Sequence, residues 1–112
     1  MVDWAKLKGL GAERAGYRVH VVTLETELHS LLAKIRDVGG KVAFIPEGKQ
    51  HAIEYEVHPE GSDSLYWAGA SDGKELHPEL ARRLMELALE MAEAMARVNR
   101  ITNAMCEEVR RA

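Results

Sequence analysis

The segment from Glu79 to Arg111 constrains this chain more than any other, because it contains neither glycine nor proline. Ala, Leu, Met, Glu and Arg dominate it, and all five are strong helix formers. Pro78 suits the first helical position, where its missing N–H costs nothing, and Glu79 suits the first turn. The sequence therefore predicts one long helix over residues 77–111.

An apolar seam runs along this helix in a heptad pattern over three to four heptads. It consists of Leu80, Leu84, Leu87, Met91, Ala94, Val98, Ile101 and Met105. The helix would span roughly 50 Å, whereas a domain of this size has a radius of gyration of about 13 Å. We therefore expect a homo-oligomer, in which further copies cover residues 80–105. The alternative is a helix broken near residues 99–103 that lies wholly on its own sheet.

The first 23 residues predict an irregular start followed by a strand. Residues 1–16 are expected to hold an N-terminal turn and a glycine-rich connection. Residues 17–23 are rich in β-branched and aromatic side chains, which favours a strand. Thr23 would then cap a short amphipathic helix, which Gly39 ends in a left-handed conformation.

Three further strands complete the expected sheet. Residues 41–45 and 51–57 flank a short turn and predict a hairpin, and residues 65–69 predict a third strand. Residues 17–70 therefore form a strand–helix–hairpin–strand segment. The whole chain, residues 1–112, is expected to be a single α+β domain. It combines a small antiparallel sheet, one short amphipathic helix and a long C-terminal helix that mediates oligomerisation.

Composition narrows the classes of function. The formal net charge is −3, so the basic excess of a nucleic-acid-binding protein is missing and nucleic acid is an unlikely partner. No apolar run is long enough to span a membrane. The chain has one cysteine, Cys106, which we expect to be a packed or half-exposed thiol and not a nucleophile. These features favour a cytoplasmic protein without a cofactor or a structural metal site.

The candidate ligand-binding residues combine amides, guanidinium groups and aromatic rings. The amides of Asn99 and Asn103 lie one turn apart on one helical face. Guanidinium groups can bind phosphate in a fork geometry, and aromatic rings can stack on a flat ligand. The six candidates are Arg97, Asn99, Arg100, Asn103, Tyr66 and Trp67. The alternatives are a solvated polar strip or a polar pair that sets helix register.

A second group of polar residues alternates along one predicted strand. Glu54, Glu56 and His58 share one strand face and could perform acid–base chemistry or hold a metal. The alternative is the solvated face of an edge strand. No nucleophile with a base at helical reach supports catalysis, so we expect no catalytic residues.

Three functions follow from these features. The first is a non-enzymatic homo-oligomer that holds a small anionic, nucleotide-like ligand where helix and sheet meet. The second is a protein–protein interaction module or inhibitor that acts through its methionine-rich long helix or an open sheet edge. The third is a small enzyme that uses Glu54, Glu56 and His58.

One known family resembles this layout. A small antiparallel sheet precedes a long C-terminal helix, Thr23-Leu24-Glu25-Thr26-Glu27-Leu28 enters the first predicted helix, and Asn99-Arg100-x-x-Asn103 lies on the last. In these features the chain resembles the phage anti-Thoeris sponge proteins, which are compact oligomers that sequester cyclic nucleotide-type immune signals without cutting them. The resemblance implies sequestration of such a signal, with Asn99, Arg100, Asn103, Tyr66 and Trp67 as its contacts.

Overall fold

The computed structural model describes residues 1–58, 65–71 and 73–111, and for residues 65–71 it describes the backbone. Along the sequence, a long helix comes first, three strands follow, and a second long helix comes last. The elements are α1 (Trp4–Asp37), β1 (Lys41–Phe44), β2 (Ala52–Val57), β3 (Leu65–Ser71) and α2 (Pro78–Arg110). The predicted α+β class, with a small antiparallel sheet and a long C-terminal helix, is confirmed.

The chain divides into two compact units. The helical unit comprises Met1–Glu25 and Leu89–Ala112, and the sheet unit comprises Thr26–Ala88. Within the helical unit, the first part of α1 packs against the last part of α2. The sheet unit holds the three strands together with residues 26–37 of α1 and 78–88 of α2.

The predicted start of the fold is wrong, because residues 4–37 form one helix. Residues 1–16 are not a connection, residues 17–23 are not a strand, and the short amphipathic helix is the last part of α1. Thr23 does not cap a helix, since its Oγ1 donates to the Val19 carbonyl within α1 at 3.1 Å. The true cap is Asp3, whose Oδ1 accepts from the Lys6 N–H at 3.0 Å.

Packing against α2 explains why this segment is helical. An inward seam with heptad spacing continues through the region of high β-propensity, and it consists of Leu7, Leu10, Arg14, Tyr17, Val21 and Leu24. Three helical glycines cost about 1 kcal/mol each relative to alanine. Burying a leucine such as Leu24, which is 3% exposed, contributes about 1.5–3 kcal/mol. Tertiary burial therefore outweighs the local preferences of these residues.

The end of α1 follows the sequence closely. The Gly40 N–H donates to the Ile35 carbonyl at 2.8 Å, and the Gly39 N–H donates to the Arg36 carbonyl at 3.1 Å. These two bonds form a Schellman motif, and Gly39 has the positive φ of 110° that the motif requires. The predicted left-handed cap at Gly39 is confirmed.

The sheet is an antiparallel meander in the order β1-β2-β3. The predicted hairpin is confirmed, with Lys41 opposite Glu56 and Phe44 opposite Ile53. β3 also lies where a third strand is predicted, and a bulge interrupts its pairing with β2. The fully buried side chains of the sheet unit include Phe44, Leu32, Ile35, Leu84, Val42 and Val57.

α2 starts and ends within one residue of the predicted bounds. The His77 carbonyl accepts from the Leu80 N–H at 3.1 Å, and Pro78 takes the first helical position. All eight residues of the predicted α2 seam are buried or half-buried. In each unit, part of α1 of the same chain covers the α2 seam. The seam therefore no longer requires a second copy, and oligomerisation stays a prediction.

Candidate interaction surface

The helical unit consists of two antiparallel helices that contact each other along their seams. Its contacts pair the start of α1 with the end of α2, since the Asp3 N–H donates to Glu108 Oε1 at 3.0 Å. Further along α1, a Cβ at Gly11 would lie 3.8 Å from Met105 Cε. Two grooves flank this central seam, one on each side of the helical pair, and they differ in chemical character.

We call one side the charged face. Two adjoining hollows of about 350 and 310 Å³ lie along it. Three carboxylates and two guanidinium groups are among the residues that line them. The charged face is defined by Glu13, Tyr17, His20, Glu90, Glu93, Arg97 and Arg100.

A tyrosine–arginine pair lies at the centre of the charged face. Arg97 Nη1 donates to the Tyr17 hydroxyl at 2.8 Å, and the guanidinium carbon lies 5.3 Å from the centroid of the same ring. The hydrogen bond to Tyr17 raises the pKa of Arg97, and the Glu93 carboxylate acts in the same direction. The pair therefore holds a permanent positive charge in a fixed place between the two hollows.

We call the opposite side the apolar face. Its groove, of about 260 Å³, is lined by Val22 and Met95 together with Arg18, Glu25 and Asn99. Residues seven positions apart on a helix lie on nearly the same side. This spacing adds the other members, so the apolar face is defined by Trp4, Ala15, Val22, Ala92, Met95 and Val109.

The large side chains of the apolar face are exposed to solvent. The exposed fraction is 72% for Trp4, 59% for Val22, 52% for Met95 and 56% for Val109. Single exposed apolar residues are ordinary on protein surfaces, but a set on one side of one unit is typical of a contact surface. Val19 and Leu89 are also exposed.

The candidate ligand residues do not form one cluster on α2. Arg97 and Arg100 line the charged face, whereas Asn99 lines the groove of the apolar face. Asn103 is exposed one turn after Asn99. The pairing of amides and arginines on one surface, which the sequence suggested, is therefore not what α2 presents.

The aromatic candidates belong to the sheet unit. Tyr66 and Trp67 lie on β3, where Tyr66 is opposite Glu56 and Trp67 is opposite Tyr55 in the backbone register. Their side chains lie outside the described residues, so their role as ligand contacts stays a prediction.

The candidate enzyme residues lie on β2 and just after it. Glu56 is opposite Lys41 in the hairpin register, and Glu54 is opposite Ala43. Lys41 and Lys74 line the same small hollow as these two carboxylates, an arrangement typical of a solvated ladder of opposite charges. Burial raises the pKa of Tyr55 in this hollow.

The part of the chain that the structure describes offers neither a cluster of metal ligands nor a membrane-spanning helix. No group of three or more histidine, cysteine, aspartate and glutamate side chains is arranged there to hold a metal ion. No helix of that part combines the length and apolar character that a membrane span needs. Cys106 is exposed, so the packed form of the predicted thiol is wrong, whereas the half-exposed form is compatible with the structure.

Sequence reasoning missed the apolar face and the Tyr17–Arg97 pair for one reason. Both require residues 4–25 to be a helix, and the sequence was interpreted there as a connection and a strand. The missed signal is the heptad spacing from Leu7 to Leu24, which continues through the glycines.

Comparison of the chain with protein-family models, with curated proteins and with solved structures finds no match. The candidate function therefore depends on the two faces of the helical unit and on their chemistry.

Proposed function

We propose that this protein is a non-catalytic interaction module, whose helical unit docks a helical surface of a protein partner on its apolar face. The observation that carries the proposal is the set of exposed large side chains, Trp4, Val22, Met95 and Val109, on one side of a helical pair. Two helices make only one thin layer of packing, and stable helical domains bury the remaining apolar stripe against another layer.

The chemistry of the exposed side chains supports the same proposal. Tryptophan is enriched in the buried centres of protein interfaces, and methionine adapts its shape to a partner. Met95 is the better probe of this surface than Met91, because Met91 is a half-buried member of the seam between the helices. A charge at Met91 would disturb the fold, whereas a charge at Met95 would disturb docking.

Site-specific photo-cross-linking tests the interaction module. A benzophenone amino acid replaces Met95 on the apolar face in cells that make the protein, and the matched control carries it at Glu93 on the charged face. We expect a cross-linked protein adduct from position 95 at a yield at least about tenfold higher than from position 93, because docked helices exclude solvent from the covered face. Equal yields from both positions would contradict the proposal.

A second candidate function is the binding of a small anionic ligand on the charged face. Arg97 and Arg100 line one hollow of about 310 Å³, and Tyr17 holds Arg97 in place. Guanidinium groups bind phosphate through paired hydrogen bonds, and the Tyr17 ring offers a surface for stacking. Glu13 lines the same hollow, and its carboxylate would repel an anion, so this candidate ranks second.

Calorimetric titration with adenosine monophosphate, as a nucleotide-type probe, tests the second candidate. Binding should be lost in Arg100→Gln and retained in Asn103→Ala, since Asn103 does not line either hollow of the charged face. Native mass spectrometry of the purified protein would detect a ligand that remains bound through purification. If Asn103→Ala loses binding and Arg100→Gln retains it, the charged face is not the ligand site.

A further inference from the structure

The apolar face carries three charged side chains, and their order along α1 restricts which partner can cover it. Lys8, Arg18 and Glu25 are exposed. Lys8 is seven residues before Ala15, and Arg18 and Glu25 are seven apart, so all three lie on the side of the apolar face. Lys8 and Glu25 lie near the two ends of the part of α1 that belongs to the helical unit, and they are separated by roughly 25 Å.

An antiparallel copy of α1 pairs two of these charges, Lys8 and Glu25, in a single register. When Lys8 of one copy is opposite Glu25 of another, the same register sets Val22 opposite Gly11 and Arg18 opposite Ala15. Val22 and Arg18 thus each meet a small residue, and the charges of Lys8 and Glu25 pair at both ends. The charge pairs and the size pairs form in the same register, so the helices need not shift along each other to form both.

The second helix of the unit fits the same arrangement. Asn99 and Arg18 line one groove, so Asn99 lies at the level of the central part of the register. Two Asn99 amides from two copies would then approach each other near the two-fold axis. A paired asparagine in an apolar helical interface favours one register, because a shifted register leaves its polar groups without partners.

The area of the face is sufficient for a stable contact. In this register residues 8–25 of the two copies overlap over roughly 27 Å, and two packed helices present a width of about 20 Å. The covered area would be about 540 Å² per copy and about 1,100 Å² in total, above the roughly 1,000 Å² that a specific interface needs.

We infer that the partner of the apolar face is a second copy of this chain, docked antiparallel about a two-fold axis with Lys8 of each copy opposite Glu25 of the other. This inference rests on the proposed function. The result is an arrangement of four helices in which every neighbouring pair is antiparallel, so the helix dipoles are also favourably aligned. The inference agrees with the homo-oligomer that the sequence predicts but moves its contact from the seam of α2 to the outer sides of both helices.

Charge reversal with mixing tests the inference on the full-length chain. Lys8→Glu and Glu25→Lys each create two like-charge contacts in a homodimer, so each variant by itself should dimerise at least about tenfold more weakly than the wild type. An equimolar mixture should form a heterodimer, because every position 8 then meets an opposite charge at position 25. With one of the two variants labelled with nitrogen-15, native mass spectrometry distinguishes the heterodimer from both homodimers, and a Glu13→Lys variant on the charged face serves as the matched control.

The outcomes separate the inference from the proposal on which it rests. Recovery of dimer in the mixture, with unchanged dimerisation in Glu13→Lys, supports the antiparallel arrangement. Weak single variants without recovery in the mixture overturn this register. A wild-type chain that stays at 12.5 kDa up to millimolar concentration overturns self-docking. A cross-link from position 95 to a different protein would then still uphold the interaction module. Circular dichroism verifies that each variant is folded.

Discussion

The charged face and the apolar face of the helical unit flank the same seam, yet they offer opposite surfaces to a partner. The charged face carries three carboxylates and two guanidinium groups, and Tyr17 and Arg97 satisfy each other there. The apolar face exposes Trp4 and Met95 to solvent. The polar groups of the charged face are satisfied in water. Covering the apolar face is favourable, because it removes apolar surface from water. The difference teaches that one side of a helical pair can suit contact with water while the other side suits contact with a partner.

A substitution in the shared seam should have the largest effect, because both faces depend on the packing of the two helices. Leu24 is 3% exposed between the two faces, and Leu24→Ala should lower the free energy of unfolding by about 2–4 kcal/mol. Urea unfolding monitored by circular dichroism measures this loss. The control is Val19→Ala, since Val19 is 66% exposed and its truncation should change stability by less than about 0.5 kcal/mol. Similar losses in the two variants would mean that Leu24 is not part of a packed seam.

The glycines of α1 allow a smaller change that sharpens the same comparison. A Cβ at Gly16 would have nothing within 4 Å, and Gly16→Ala should raise the free energy of unfolding by about 0.5–1 kcal/mol. Gly11→Ala should give a similar gain, because its Cβ would make only ordinary contact with Met105. Thermal unfolding measures both.

The two glycine variants should differ in their effect on docking. Gly16 lies away from the apolar face, so Gly16→Ala should leave docking unchanged. Gly11 faces Val22 in the proposed antiparallel register, and Gly11→Ala should weaken self-association. Destabilisation by Gly16→Ala would contradict the helical assignment of this segment, and stronger association of Gly11→Ala would contradict the proposed register.

The sequence predicted most elements whose determinants are local. The α2 helix, the Gly39 cap and the β1–β2 hairpin depend on residues close in the chain, and all three are confirmed. The segment 17–23 was predicted as a strand because its β-branched residues outnumber its helix formers. Its helical state depends on α2, which is distant in the sequence, and single-residue preferences do not report such contacts.

The candidate site was less predictable than the fold. Arg97 and Arg100 do share a surface, but Asn99 lies on the opposite side of the seam. The sides of a helix can be distinguished only when its packing partner is known, and the partner, α1, was not recognised as a helix. The heptad seam on α2 correctly indicated a covering helix, but the sequence could not distinguish a helix of the same chain from one of a second copy.

The smallest expected effect concerns the end of the helical unit at which both faces terminate. Glu108 Oε1 accepts from the Asp3 N–H at 3.0 Å, and Glu108 Oε2 lies 3.4 Å from Lys6 Nζ. The backbone hydrogen bond and then Lys6 lower the pKa of Glu108 in the folded state. Its stabilising contribution is therefore complete above the unfolded-state pKa of about 4.3 and is lost as the pH falls through the lower folded-state value.

A Glu108→Gln variant should accordingly be slightly less stable than the wild type at pH 7, and the difference should disappear in strong acid. Urea midpoints of both proteins between pH 7 and pH 2 measure it. Lys6→Gln should remove only part of the difference, because the Asp3 N–H still donates to the carboxylate and is the larger cause of the lowered pKa. A difference between wild type and Glu108→Gln that grows as the pH falls has the wrong sign for this contact. That outcome would mean that Glu108 does not join α1 to α2 through its charged form.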